Sequence, residues 1–153
     1  MNPQRRHILG ALAAGLGGLL TAGAMAQSQP VVEVWKDPNC GCCKDWIAHM
    51  EQAGFKAVVH DTGNNAARAR LGLPLKYGSC HTALVAGYVI EGHVPATDIR
   101  RLMREKPKAL GLAVPGMPVG APGMDGPEYK GRKDKFDVLL VAKHGTHKVY
   151  QSY

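Results

Sequence analysis

Apolar positions along the chain change their period several times, and each change marks an element. Trp46, Ile47, Met50 and Ala53 recur every three or four residues, one face of a helix, which predicts a helix over residues 44–54 with Gly54 at its C-terminal cap. Before it, Val31-Val32-Glu33-Val34-Trp35 is short and β-branched and predicts a strand, as does Phe55-Lys56-Ala57-Val58-Val59 after it. Residues 64–71 read as a short helix stopped by Gly72 and Pro74. Residues 82–85 and 88–90 read as a hairpin turning at Ala86-Gly87. Pro95-Ala96-Thr97-Asp98 then opens a helix through Glu105, which Pro107 breaks.

The order so far is β-α-β-α-β-β-α. Its simplest packing is an α/β domain, a mixed four-stranded sheet with a layer of helices on each side. Over residues 31–106 this order resembles the thioredoxin or glutaredoxin fold. Beyond Pro107 the texture changes. Residues 111–126 are dense in glycine and proline, which argues against a helix or an inner strand. Within them Pro115-Gly116-Met117 recurs as Pro122-Gly123-Met124. Residues 136–141 and 148–151 predict a final hairpin across His144-Gly145-Thr146, extending the sheet or covering one side of it. The Gly/Pro-rich loop between is long enough to be functional or disordered.

The first stretch is an address rather than part of this domain. Arg5-Arg6 precedes an apolar run over residues 8–25, and Ala24-Met25-Ala26 supplies a cleavage site, the three regions of a secretory signal peptide. The arginine pair also fits the twin-arginine route, although Gln4 stands where Ser or Thr is usual. An uncleaved anchor is the competing reading, and the glycines and the Ala-x-Ala site count against it. Cleavage after Ala26 leaves residues 27–153 as one domain and predicts a periplasmic protein with no membrane attachment. The formal charge of +7 falls to +5, because Arg5 and Arg6 are the charged residues removed. Lys130-Gly131-Arg132-Lys133 is diluted by Asp134 and Asp137 and carries no interleaved aromatics, so it reads as a solvated loop and nucleic acid is not an expected partner.

The candidate chemistry is in the cysteines. Three of the four lie in Cys40-Gly41-Cys42-Cys43, and the fourth is Cys80. Structural staples account poorly for this spacing, because a bridge within the first three closes a very small loop. Two readings remain. Cys40 and Cys43 form a C-x-x-C pair at the start of a helix, where free N–H groups stabilise a thiolate able to attack a disulfide. Alternatively the thiolates are metal ligands. Then Cys42, which would interfere with disulfide exchange, becomes an asset; soft sulfurs select Cu(I) or zinc, and four cysteines alone would also fit an iron–sulfur cluster. Mononuclear zinc is disfavoured because a second C-x-x-C knuckle is missing. If the thioredoxin-like placement holds, Cys80, in Ser79-Cys80-His81-Thr82, faces the cluster.

Four stretches together resemble the periplasmic CopG copper-resistance family. They are Asn39-Cys40-Gly41-Cys42-Cys43-Lys44-Asp45-Trp46, Ser79-Cys80-His81-Thr82-Ala83, Glu91-Gly92-His93-Val94-Pro95-Ala96 and Gly111-Leu112-Ala113-Val114-Pro115-Gly116-Met117-Pro118. The resemblance implies a thioredoxin-like fold with a cysteine-bridged, multinuclear copper site on Cys40, Cys42, Cys43 and Cys80. Met117, Met124, His81 and His93 are outer candidates. His49, His60, His144 and His147 are expected at the surface, and Met50 and Met103 in the core. His60-Asp61-Thr62-Gly63 contains the Asp-Thr-Gly of aspartic proteases, but a strand-ending turn explains it better in an α/β chain.

The expectation is an exported monomer that holds Cu(I) in copper resistance, with redox cycling of copper as a further role. Its expected partners are copper ions and other periplasmic copper-handling proteins, and whether it is an enzyme, through copper or thiol redox activity, is open at this point. The alternatives are a thiol–disulfide oxidoreductase using Cys40 and Cys43, and a metallochaperone.

Overall fold

Strand pairing organises the molecule. The computed structural model describes residues 28–153; the expected signal peptide, with its expected cleavage after Ala26, lies outside the described residues. The elements run β1 (Val31–Lys36), α1 (Gly41–Gln52), β2 (Lys56–His60), α2 (Asn65–Arg70), a 3-10 turn at Leu75–Tyr77, β3 (His81–Val85), β4 (Tyr88–Glu91), α3 (Ala96–Glu105), β5 (Gly111–Ala113), a second 3-10 turn at Pro127–Tyr129, β6 (Asp137–Val141) and β7 (His147–Ser152). The fold is α/β. The strands form one mixed sheet in the order β2-β1-β3-β4-β5-β6-β7. β1 pairs in parallel with β2, and β4 with β5; the remaining neighbours are antiparallel.

Alternation along the strands separates two cores, because successive side chains point to opposite faces. Val32 and Val34 of β1, Ala83 and Val85 of β3, Ile90 of β4, Leu112 of β5 and Val138 of β6 pack with Trp46, Ile47 and Met50 of α1 and Ile99 and Leu102 of α3. Val89, Ala113 and Val141 form a smaller cluster with Leu73 and Tyr77, the segment after α2. The central strands are thus covered on both faces, by α1 and α3 on one and by the segment after α2 on the other.

Two expectations are corrected. The sheet has seven strands rather than four plus a hairpin. The final hairpin extends it, and the join is β5, an inner strand inside the Gly/Pro-rich segment. Glycine permits this strand: a Cβ on Gly111 would lie 1.7 Å from the Val89 carbonyl oxygen, so only a residue without one lets β5 approach β4 so closely. The second correction is the start of α1, which begins at Gly41 rather than at residue 44. Cys40 is the N-cap, and Cys42 and Cys43 sit in the first turn.

Candidate metal centre

The cysteine loop and the start of β3 meet because β1 and β3 are neighbours, with Lys36 paired to His81 at the end of their ladder. Cys40 to Cys43 follow β1 directly, and Cys80 precedes β3. The sulfurs of all four cysteines come within 4.8 Å of one another. Cys42 Sγ is 3.6 Å from Cys40 Sγ and 3.9 Å from Cys80 Sγ, while Cys43 Sγ lies 3.6 Å from the Cys80 carbonyl oxygen. Cys40 and Cys43 are joined as a disulfide, and Cys42 and Cys80 are free thiols. In this state two of the four expected thiolates are tied up in the C-x-x-C pair, and a site using all four sulfurs forms only on reduction.

Two histidines complete the neighbourhood. Cys80, His81 and His93 form a second group whose ligand atoms lie within 4.8 Å of one another. Both rings are buried. His93, an outer candidate in the sequence, is therefore an interior residue. Its Nδ1 is 2.8 Å from the Pro122 carbonyl, which can only accept, so the proton sits on Nδ1. Nε2 is then a bare acceptor, 3.1 Å from Cys80 Sγ. Burial lowers the His93 pKa, against the opposing effects of the Pro122 carbonyl and Asp125, so the ring is neutral.

His81 belongs to β3, on the same face as Ala83 and Val85, and its ring is 4.4 Å from Trp46 and 5.1 Å from His93. Its Nδ1 is 3.4 Å from Cys80 Sγ. Its Nε2 is buried without a hydrogen-bond partner. Burial first, and His93 second, drive its pKa well below the ordinary imidazole value. A buried nitrogen with no partner is uncommon and fits a group that acquires one on ligand binding.

The Gly/Pro-rich segment closes over this corner. A Cβ on Gly123 would lie 2.7 Å from the Cys42 carbonyl oxygen and 2.7 Å from the Trp46 nitrogen, so the loop backbone rests on the first turns of α1. Met124 is 6 % exposed, and its sulfur accepts the Tyr129 hydroxyl at 3.4 Å. Tyr129 has a raised pKa, by desolvation first and then by Glu128, Cys42, Asp45 and Cys80. Met117 is 52 % exposed and lines a shallow depression with Val114, Pro118 and Phe136, so it stands further out than Met124.

The remaining expectations resolve simply. Met50 is buried and Met103 packs against the main core. His144 and His147 are exposed. His60 is half-buried, stacked on Trp35 at 5.1 Å and 2.9 Å from Glu33. His49 is a correction: half-buried, its Nε2 accepts the Ala96 N–H at 3.1 Å and so caps α3, which begins after a proline with no side-chain cap of its own. Asp61 of the Asp-Thr-Gly turn pairs with buried Lys36 at 2.6 Å, a structural role.

Two charged groups that bind the backbone of Ser79, the residue before Cys80, were not singled out in the sequence. Arg68 and Glu91 form a buried ion pair beside Ser79. The signal was a glutamate inside an otherwise apolar strand, Tyr88-Val89-Ile90-Glu91.

A family model described as a protein of unknown function, DUF411, matches residues 77–124. No curated protein sequence matches. Two solved structures, Form 1 and Form 2 of the copper resistance protein CopG, align with TM-scores of 0.74 and 0.73 at 46 % and 45 % identity. Each alignment covers 82 % of this chain and 98 % of that one. At that identity over nearly the whole length of the solved proteins, this chain belongs to the CopG copper resistance protein family.

Proposed function

We propose that this chain is an exported copper-binding protein that holds Cu(I) in a multinuclear site on Cys40, Cys42, Cys43 and Cys80. The observation that carries the reading is the convergence of all four sulfurs, including Cys42 inside the C-x-x-C pair and Cys80 from the start of the neighbouring strand β3. Neighbouring thiolates bridge soft monovalent ions, and a dense set of them favours Cu(I) over harder cations. His93 is the better-placed outer donor, since its Nδ1–H is committed to Pro122 and its Nε2 faces the cluster. That is the usual way a ligating imidazole is held. His81 follows, with its unpartnered Nε2. Met124 and Met117 form the outermost tier, because Met124 Sδ already accepts from Tyr129 and Met117 is exposed.

The scaffold in this reading is thioredoxin-like, supported by the order β2-β1-β3-β4 and by Cys40, Cys42 and Cys43 at the N-terminal end of α1, directly after β1. Residues 1–26 act as a cleaved signal peptide, and the mature monomer works in the periplasm. Among the described residues no helix is long and apolar enough to cross a membrane. The role is copper resistance, by sequestration or by cycling copper between oxidation states. Transfer to a partner protein would make the chain a metallochaperone.

Anaerobic titration of the reduced protein with Cu(I) tests this. More than one copper per chain is expected for the wild type, with a clear loss in Cys42→Ser and a release of protons on binding. A stoichiometry of one or less, unchanged in Cys42→Ser, overturns the cluster. A second reading is favoured by the Cys40–Cys43 bridge itself. A thiol–disulfide oxidoreductase would keep its disulfide-reductase activity in Cys42→Ser and Cys80→Ser and lose it in Cys40→Ser.

A further inference from the structure

Ser79, the residue before Cys80, has each of its polar groups held. Its N–H donates to Glu91 Oε1 at 2.7 Å. Its carbonyl accepts from Arg68 Nη2 at 2.7 Å and from Asn64 Nδ2 at 3.1 Å. Its hydroxyl donates to the Gly116 carbonyl at 2.5 Å. The end of β4 presses on the same residue, since a Cβ on Gly92 would lie 2.5 Å from Ser79 Oγ.

Arg68 and Glu91 are themselves paired. Arg68 Nη2 and Nε are each 2.8 Å from Glu91 Oε1, and the two side chains are 7 % and 0 % exposed. Thr82 Oγ1 donates to Glu91 Oε2 at 2.6 Å, so both carboxylate oxygens are occupied. Burying an ion pair is a poor route to stability, because apolar replacements of similar volume are often neutral or better. Another reason for the pair is visible in its partners. Glu91 holds the peptide group entering Ser79, and Arg68 holds the one leaving it. Between Lys76 and Thr82 there is no proline to stiffen the chain, so the hydrogen bonds supply the rigidity.

We propose that Arg68 and Glu91 are positioning residues for the metal centre: by clamping both peptide groups of Ser79 they set Cys80 Sγ opposite Cys42 and against His93. The functional meaning of the clamp rests on the copper reading. The placement of Cys80 rests on the geometry alone, and the test separates the two.

The first readout is metal-free. In a Cys40→Ser/Cys43→Ser background, Cys42 and Cys80 are the remaining thiols, with sulfurs 3.9 Å apart in the parent structure. Equilibration with glutathione oxidises the two thiols to one disulfide while one oxidised glutathione is reduced to two thiols, and the equilibrium gives the effective concentration of Cys42 at Cys80. Arg68→Lys keeps the charge but loses the fork of donors, and should lower that concentration about tenfold. Glu91→Gln should lower it less, because the amide oxygen still accepts. Asn64→Ala, which leaves the ion pair intact, should give the smallest drop in the same direction.

The second readout is Cu(I) affinity by competition with a chromogenic chelator. Arg68→Lys should weaken binding about tenfold in the parent protein and add nothing in a Cys80→Ser background, the signature of two residues acting through one contact. Folding is checked by near-ultraviolet circular dichroism. Unchanged effective concentrations in all three folded variants overturn the clamp, as does an equal loss of copper affinity with and without Cys80. If the parent binds no copper, the copper reading fails and the glutathione equilibrium still decides the placement.

Discussion

Cys80 is the sulfur around which the other polar groups of the site are arranged, with His93 Nε2 at 3.1 Å, His81 Nδ1 at 3.4 Å and Cys42 Sγ at 3.9 Å. Burial, then the neighbouring Cys42, push its pKa up to about 12. The metal-free thiol therefore keeps its proton and donates it to the neutral His93 ring. An unfolded thiol titrates near 9.0. Between these two values the folded state binds the extra proton, so stability falls as pH rises above 9.0 and the loss is complete once the folded thiol ionises. Urea titrations of the metal-free protein should show a steeper alkaline loss for the wild type than for Cys80→Ser. Identical slopes would contradict the buried thiol. The pairing of Cys80 with His93 is not legible in the sequence, because 13 residues separate them and a lone histidine after a strand carries no signal of its own.

Elements show where local pattern succeeds and where it stops. The strands and helices through residue 105 follow the hydrophobic period closely. Both principal misses involve glycine. At Gly41 the helix starts earlier than the apolar stripe because its first turn holds Gly41, which has no side chain, and Cys42 and Cys43, whose sulfurs belong to the cysteine cluster. At Gly111 the missing side chain permits strand pairing instead of breaking it. Gly111→Ala should therefore cost about 3 kcal/mol by overpacking β5 against β4, whereas Gly41→Ala meets nothing within 4 Å and should be near neutral. Chemical denaturation of the two variants checks the contrast; equal effects would place β5 wrongly.

At the scale of the whole molecule, the C-terminal extension does two jobs. β5, β6 and β7 continue the sheet, and the segment that crosses from β5 to β6 lies across the start of α1. Pro122 sets the His93 proton on Nδ1, and Gly123, at φ +82, packs against Cys42 and Trp46. Gly123→Ala adds a Cβ where the backbone is already left-handed and in contact. Its expected effect is a lifted loop, a freed His93 and Cu(I) binding weaker by about tenfold, with the disulfide-forming chemistry of Cys40 and Cys43 retained. Chelator competition and reactivity of the reduced C-x-x-C pair measure the two arms, and unchanged copper affinity would remove the loop from the site.

The sequence by itself determined the α/β class, the element order, the glycine-marked turns and the four cysteines that make up the candidate site. These depend on side-chain period and on thiol chemistry, which are local. Tertiary structure alone decided that the sheet runs to seven strands, that His93 rather than Met117 stands against Cys80, and that Arg68 and Glu91 hold Ser79. Those outcomes depend on strand pairing and buried charge satisfaction between residues far apart in the chain, where no periodicity records them.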